Sequence, residues 1–118
     1  MVFTSGCNFR CPFCHNPGLV QPPPRNRGGE VSEEEISAFL EKRKGMLEAV
    51  VISGGEPCLQ PGLVRFCKNA KSMGYAVKID TNGSFPDVVK NLLSKGLADY
   101  VAMDIKSGPG LYTEAAGK

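Results

Sequence analysis

The sequence predicts an α/β fold in which parallel strands alternate with helices. Strand-like apolar segments at 49–52, 75–80 and 100–103 are separated by segments of helical periodicity, and a short apolar run at 2–4 precedes them. The last three segments begin at intervals of roughly 25 residues, the spacing of βαβ units with right-handed crossovers. This period suits a TIM-type barrel or an open doubly wound sheet. Because four strands do not close a barrel and an isolated four-stranded parallel sheet leaves its edges unpaired, the chain is either part of a larger TIM-type (βα) barrel or completes itself by association. We expect the partial barrel.

Local signals place the elements of the first half of the chain. The run at 2–4 predicts the first strand, which leads into a loop that contains three cysteines. The stretch at 15–29 is dense in proline and glycine, so we expect a surface loop without a regular element. Ser32 and Glu35 form a capping box for the first helix, which Gly45 ends. The β-branched run at 49–52 is typical of a strand buried on both faces.

The second half of the chain repeats helix and strand. Pro61 opens the second helix and Gly74 closes it. After the strand at 75–80 and a turn, Pro86 begins a third helix that ends at Gly96. The strand at 100–103 is the last element that the pattern predicts.

Length and composition indicate one ordinary globular domain. The 118 residues are 42% hydrophobic and 22% charged, with a net charge of +2. This charge gives no case for a nucleic-acid partner, and no segment approaches the roughly 20 apolar residues of a membrane span. Without a secretory signal either, we expect a cytoplasmic protein. We expect a single domain at 1–118, with a cysteine loop at 5–29 and βα units at 30–106.

Three thiols in the loop predict a soft metal centre. Cys7, Cys11 and Cys14 have the spacing C-x3-C-x2-C, and the total of five cysteines is odd, which fits poorly with a disulfide framework. Such a loop favours an iron–sulfur cluster or zinc. Three ligands are one fewer than an ordinary four-iron cluster has, so one iron would be open to a non-protein ligand.

Other interpretations of the same loop stay open. His15 could complete a zinc site with the three cysteines, which would make the chain a structural module. Cys11 and Cys14 could form a dithiol redox site, although the prolines that follow leave no helix to activate a thiolate. The chain could also be an iron–sulfur carrier or fragment without further chemistry.

Polar and glycine residues follow the other strands where each strand ends. In parallel α/β folds ligands bind beyond the carboxyl ends of the strands, so these residues should face one cavity with the cysteines. Adjacent glycines allow a ligand to approach the backbone, and Glu56 could accept hydrogen bonds from an amine. Asp80 and Asp104 could share a cation, but helix capping or a solvated loop explains them equally well. The residues in question are Ser53, Gly54, Gly55, Glu56, Asp80, Thr81, Asn82, Asp104 and Lys106.

These motifs resemble those of the radical S-adenosylmethionine (SAM) enzymes. The family signature C-x3-C-x-aromatic-C is present as Cys7, Cys11, Phe13 and Cys14, and its GGEP landmark follows the second strand. The segments CNFRCPFCHNP, VISGGEP, KIDTNGS and YVAMDIK are similar to those of activating enzymes of glycyl-radical enzymes. Within that group they most resemble the activating proteins of anaerobic ribonucleoside-triphosphate reductase, and next those of pyruvate formate-lyase.

The resemblance implies a fold and a mechanism. It implies a (βα)6 partial barrel, of which this chain has four strands, and a 4Fe–4S cluster on the three cysteines that binds SAM at its open iron. Reductive cleavage of SAM would give a 5′-deoxyadenosyl radical, which takes hydrogen from a glycine of a partner glycyl-radical enzyme. A flavodoxin- or ferredoxin-type protein would supply the electron.

The resemblance also implies roles for individual residues. Phe13 would pack near the adenine, while Gly54, Gly55 and Glu56 would lie against the methionine moiety. Asn82 and Lys106 would also lie near SAM. Asp80, Thr81 and Asp104 match a monovalent-cation site beside SAM.

Overall fold

The computed structural model describes residues 1–21 and 29–117 and shows one parallel sheet with helices between its strands. The strands are β1 (Val2–Thr4), β2 (Ala49–Gly54), β3 (Ala76–Thr81) and β4 (Tyr100–Met103), and the helices are α1 (Glu33–Lys42), α2 (Leu63–Ser72), α3 (Pro86–Ser94) and α4 (Tyr112–Ala115). All neighbouring strands pair in parallel, in the order β1-β2-β3-β4. The predicted α/β architecture is confirmed, and it is consistent with part of a (βα) barrel.

The register aligns the carboxyl ends of the strands at one edge of the sheet. Thr4 pairs with Gly54 at the end of β2, and Thr81 pairs with Met103 at the end of β4. The loops that leave these ends carry the predicted site residues. The sheet therefore brings segments that are up to a hundred residues apart in sequence to one side of the molecule.

The apolar core lies on one face of the sheet. Val50 and Ile52 of β2 are buried with Val77 and Ile79 of β3, against α2 and α3, whereas Val51 between them is only half-buried. The expectation that this strand is buried on both faces was wrong. Right-handed crossovers between consecutive neighbouring strands place the connecting helices on the same face, so the opposite face receives no helix from these units.

Several predicted boundaries shift by a few residues. α1 has the predicted capping box, with the Ser32 hydroxyl accepting a hydrogen bond from the Glu35 amide. The second helix begins at Leu63 rather than at Pro61. A 3-10 turn at Pro17–Leu19 lies in the stretch predicted to have no regular element, because proline fits the first position of such a turn. Residues 22–28 of that predicted loop lie outside the described residues.

Helix α4 was not predicted. It follows a 3-10 turn at Pro109–Leu111 and has only four residues, too few for a periodic pattern to be recognised. Within the described part of the chain, no helix is long and apolar enough to span a membrane.

Candidate metal and cofactor site

One cavity at the carboxyl edge of the sheet brings the predicted residues together. Its volume is about 410 Å³, and the thiols of Cys7, Cys11 and Cys14 line it. A larger groove of about 1010 Å³ lies between β1 and the helices α1 and α2, but it is lined by none of these cysteines. The smaller cavity is therefore the candidate site. It is also lined by Phe13, His15, Ser53, Gly54, Gly55, Asp80, Thr81, Asn82, Asp104 and Lys106, so that Glu56 is the one predicted SAM or metal residue missing from its wall.

The cysteine loop is closed by backbone hydrogen bonds at its base. The amide of Gly6 donates to the carbonyl of Leu19 at 2.7 Å, and the amide of Cys7 donates to the carbonyl of Val20 at 2.9 Å. These bonds bring Leu19 and Val20 beside Gly6 and Cys7, so that the segment 6–20 forms a closed loop. The cysteines are consequently presented on a closed loop, in which the backbone around Cys7 is fixed.

The short helix α4 holds the middle of the same loop. The amide of Arg10 donates to the carbonyl of Ala116 at 2.8 Å. The rings of Phe9 and Tyr112 pack edge-to-face, with 6.4 Å between their centroids. The Tyr112 hydroxyl in turn accepts a hydrogen bond from the Lys106 amide at 3.4 Å. These contacts of Tyr112 and Ala116 with the cysteine loop were not predicted from the sequence. The apolar pair Tyr112 and Ala116, four residues apart, was the one local signal for them.

The two glycines of the GGEP segment permit the close approach of β2 to the cysteine loop. Gly54 has a positive φ of 105°, and a side chain at Gly55 would place its Cβ 2.1 Å from the carbonyl oxygen of Gly6. The amide of Gly55 donates to the carbonyl of Thr4 at 2.9 Å, and the amide of Glu56 donates to that of Gly6 at 2.8 Å. Glycine at both positions is thus required by backbone conformation and by packing.

Glu56 is buried beneath the cavity rather than exposed in it. Its side chain is 1% exposed, and its carboxylate accepts hydrogen bonds from the Thr81 hydroxyl at 2.6 Å and from the Asn82 amide at 2.7 Å. A third donor is the Cys58 amide, at 3.1 Å. Glu56 therefore joins the GGEP turn to the end of β3. Its predicted contact with a ligand stays a prediction.

The two cysteines outside the loop are buried in the core. Burial raises the pKa of the Cys58 thiol to about 11, and burial likewise raises the pKa of Cys67 to about 11. Both thiols are therefore neutral near pH 7. The Cys58 sulfur lies 3.6 Å from the Thr81 hydroxyl.

Opposite charges meet at the ends of β3 and β4. Oδ1 of Asp80 lies 3.3 Å from Nζ of Lys78, yet no hydrogen-bond donor of the described residues is directed at this buried oxygen. Oδ2 of the exposed Asp104 lies 3.3 Å from Nζ of Lys106, whose side chain is 19% exposed. The amide of Asp104 donates to the carbonyl of Thr81 at 3.0 Å. Thr81 and Asp104 are thus joined through the backbone, and Oδ1 of Asp80 keeps acceptor capacity.

The three thiols of the cavity are available as metal ligands. All five cysteines are free, and Cys7, Cys11 and Cys14 are partly exposed around one cavity. Among residues 1–21 and 29–117, no three His, Cys, Asp or Glu side chains converge as ligands of one metal ion. A four-iron cluster binds each thiolate to a different iron and so accepts ligands that stand farther apart.

Comparison with known proteins identifies the family. The model of the radical SAM superfamily matches residues 1–117. The chain belongs to this superfamily. The radical SAM assignment agrees with the four parallel strands and with the position of the cysteine loop after β1.

The curated relatives that match this chain have different names. A protein of Methanocaldococcus jannaschii, named as a glycyl-radical enzyme activating enzyme, is 40% identical over 97% of this chain and 45% of its own length. The pyruvate formate-lyase-activating enzyme of Clostridium pasteurianum is 33% identical over 90% of the chain and 44% of its own length. The 7-carboxy-7-deazaguanine synthase of Methanopyrus kandleri is 32% identical over 86% of the chain and 46% of its own length. The chain thus spans about half the length of these curated relatives.

Proposed function

We propose that residues 1–118 form a radical SAM domain that binds a 4Fe–4S cluster and SAM and takes part in glycyl-radical-enzyme activation. The observation that carries the proposal is the cavity of about 410 Å³ that the three loop cysteines share with Gly54, Gly55 and the ends of β3 and β4. Binding of a cluster and of SAM side by side needs cysteine ligands and polar groups for an amino acid in one cavity.

The three cysteines would hold the cluster. Cys7, Cys11 and Cys14 are the free thiols of this cavity, while the other two cysteines are buried. When bound, a cluster with one open iron supplies an electron for cleavage of SAM, which releases methionine and a 5′-deoxyadenosyl radical. The protein's own part is to fix the loop and to form the wall around the bound molecule. Free thiols in this number also support a reducing, cytoplasmic location.

The GGEP turn is suited to a cationic amine. The amides of Gly55 and Glu56 are already occupied by carbonyls of β1 and the cysteine loop. A ligand at this turn would therefore meet carbonyl oxygens rather than amide hydrogens. Carbonyl oxygens accept hydrogen bonds from an ammonium group, such as that of the methionine moiety of SAM.

Charged side chains would complete the site. Lys106 is largely buried at the cavity wall and could balance a ligand carboxylate, and Phe13, 54% exposed, offers an aromatic face for adenine. Asn82 would also lie near the bound SAM. Asp80 with Asp104 would hold a monovalent cation, with Thr81 as the third ligand. The Thr81 hydroxyl already bonds Glu56, so Asp80 is the group best placed to meet the ion.

The partner and the electron donor belong to the same proposal. Names of relatives in the glycyl-radical activation group support a glycyl-radical enzyme as partner. The motif resemblance favours anaerobic ribonucleoside-triphosphate reductase as this partner, with a formate-lyase-like enzyme as the alternative, and a flavodoxin or ferredoxin would supply the electron.

Anaerobic reconstitution tests the core of the proposal. The chain is incubated with iron and sulfide, its metal content is measured, and SAM with dithionite is then added. We expect a 4Fe–4S cluster and 5′-deoxyadenosine, and the loss of both in Cys11→Ser. Cys67→Ala is the matched control, because this cysteine is fully buried in α2 and should leave cluster content unchanged. Stoichiometric zinc without iron would refute the proposal in favour of a structural module, and a cluster without SAM cleavage would favour a carrier. A glycyl-radical signal upon addition of the reductase would support the partner.

A further inference from the structure

A closed ring of side-chain hydrogen bonds joins the cysteine loop to the turn after β3. Nδ2 of Asn82 donates to Oδ1 of Asn8 at 3.0 Å, and Nδ2 of Asn8 donates to the Ser84 hydroxyl at 2.9 Å. The Ser84 hydroxyl completes the ring by donating to Oδ1 of Asn82 at 2.6 Å. Within the ring, each side chain donates one hydrogen bond and accepts one. Residues that are 74 to 76 positions apart in sequence are held together in this way.

The orientation of the Asn82 amide is fixed independently of the ring. The backbone amide of Ser84, which can only donate, bonds Oδ1 of Asn82 at 3.0 Å. A flipped amide would place its NH2 group against this donor. The backbone amide of Asn82 also bonds the buried Glu56 carboxylate at 2.7 Å. The Nδ2 group must therefore face the cysteine loop.

The second hydrogen of this Nδ2 group is directed at a cysteine sulfur. Nδ2 of Asn82 lies 3.9 Å from Sγ of Cys7, at the long end of the range for an N–H···S bond. The amide of Phe9 donates to the same sulfur at 3.4 Å. Among the hydrogen bonds of the described residues, none reaches the sulfur of Cys11 or Cys14. The three thiols of the cavity are thus not equivalent.

We propose that Asn82 is a positioning residue that tunes the electron affinity of a cluster bound at Cys7. Hydrogen bonds to the ligand sulfurs are among the features that set the reduction potential of iron–sulfur clusters. An N–H donor withdraws negative charge from the thiolate and favours the reduced cluster, which carries one more electron. The ring formed with Asn8 and Ser84 keeps the donor aimed. This inference rests on the proposed cluster site and assigns a function to one of its side chains.

The test is a redox titration of the reconstituted chain, followed by absorbance and by electron paramagnetic resonance. Asn82→Ala removes the donor without adding charge. We expect the equilibrium constant for one-electron reduction of the cluster to fall by about threefold to tenfold, so that less of the variant is reduced at the wild-type midpoint potential. A tenfold change corresponds to about 59 mV for a one-electron couple. Asn82→Asp should lower the potential further, because it adds a negative charge. Ser84→Ala should shift it less, since the Ser84 backbone amide still orients Asn82.

The control is Asn69→Asp, which adds the same charge on the exposed side of α2, outside the cavity, and should leave the potential unchanged. An unchanged reduction potential in Asn82→Ala would overturn the inference. So would a shift in Ser84→Ala as large as that in Asn82→Ala, because it would assign the effect to the position of the loop alone. Iron content is measured for every sample. Absence of a cluster from the wild-type chain would refute the proposed function, whereas a cluster whose potential ignores Asn82 would refute only this inference.

Discussion

Replacement of Glu56 should destabilise the protein even without any ligand. The side chain is buried, and its two carboxylate oxygens accept three hydrogen bonds, from Thr81, Asn82 and Cys58. If Glu56 only contacted a cofactor, its removal would weaken binding and leave the free protein unaffected. Stability in the absence of SAM and cluster therefore separates a positioning role from a pure ligand-binding role.

The size of the effect can be worked from these contacts. A hydrogen bond to a charged group contributes about 1.5–3 kcal/mol, and a buried donor left without a partner costs about 1–3 kcal/mol. Because water and local movement recover part of the loss, Glu56→Ala should lower the free energy of unfolding by about 3–5 kcal/mol. This is a large share of the roughly 5–15 kcal/mol that stabilises a typical domain.

Glu56→Gln should have a smaller effect for a geometric reason. One carboxylate oxygen accepts from Thr81 and Cys58, while the other accepts from the Asn82 amide. The glutamine NH2 group must face either the amide of Cys58 or that of Asn82, so one donor meets another donor in both orientations. We expect a loss of about 1–3 kcal/mol.

Urea unfolding followed by far-UV circular dichroism measures these differences. With a slope of about 1–3 kcal/mol per molar urea, the midpoint of Glu56→Ala should fall by about 1 M or more. Glu41→Gln is the matched control, because Glu41 is exposed in α1 and pairs with Lys44 at the surface, where the change should stay within about 0.5 kcal/mol. The reasoning fails if Glu56→Ala unfolds at the same urea concentration as this control.

Two further changes test the packing and the pH dependence of the fold. Gly55→Ala should lower the free energy of unfolding by about 1–3 kcal/mol or more, because the new Cβ would lie 2.1 Å from the Gly6 carbonyl oxygen. Thermal unfolding measures the loss. Gly62→Ala is the control, because its Cβ would lie 3.1 Å from the flexible end of the Arg65 side chain. A hydrogen bond from Lys71 holds the pKa of Asp99 below its ordinary value, so this carboxylate stabilises the fold above its unfolded-state pKa and loses that contribution as the pH falls through its lower folded-state pKa. The difference in melting temperature between wild type and Asp99→Asn should therefore shrink from pH 6 to pH 3, and a constant difference would contradict the assignment.

The elements were predicted well where neighbouring residues determine them. The capping box of Ser32 and Glu35 is a contact across three residues, and it is present as expected. The strands were located by apolar runs, and their edges moved by one or two residues because helix and strand ends depend on neighbours in space. Residues 49–52 were assigned to a strand correctly. Their expected burial on both faces was wrong, since a run of apolar residues does not show which face of the sheet a helix covers.

The candidate site was predicted in outline. The rule that ligands lie beyond the carboxyl ends of parallel strands led to the cavity that the structure contains, with the three cysteines and the two glycines in its wall. The same rule could not tell which side chains face the cavity. Glu56 follows the glycines directly, yet the backbone turn directs its carboxylate inward, toward Thr81.

The sequence by itself determined the fold class and the grouping of three thiols on one loop, because spacing and residue type act over short stretches of chain. Only the tertiary structure decided that Glu56 is buried, that Tyr112 packs on Phe9, and that Asn82 meets Asn8 and Cys7. These contacts join segments that are between 25 and 103 residues apart. Their geometry depends on how the strands align, and no local pattern records the direction in which a side chain leaves a packed turn.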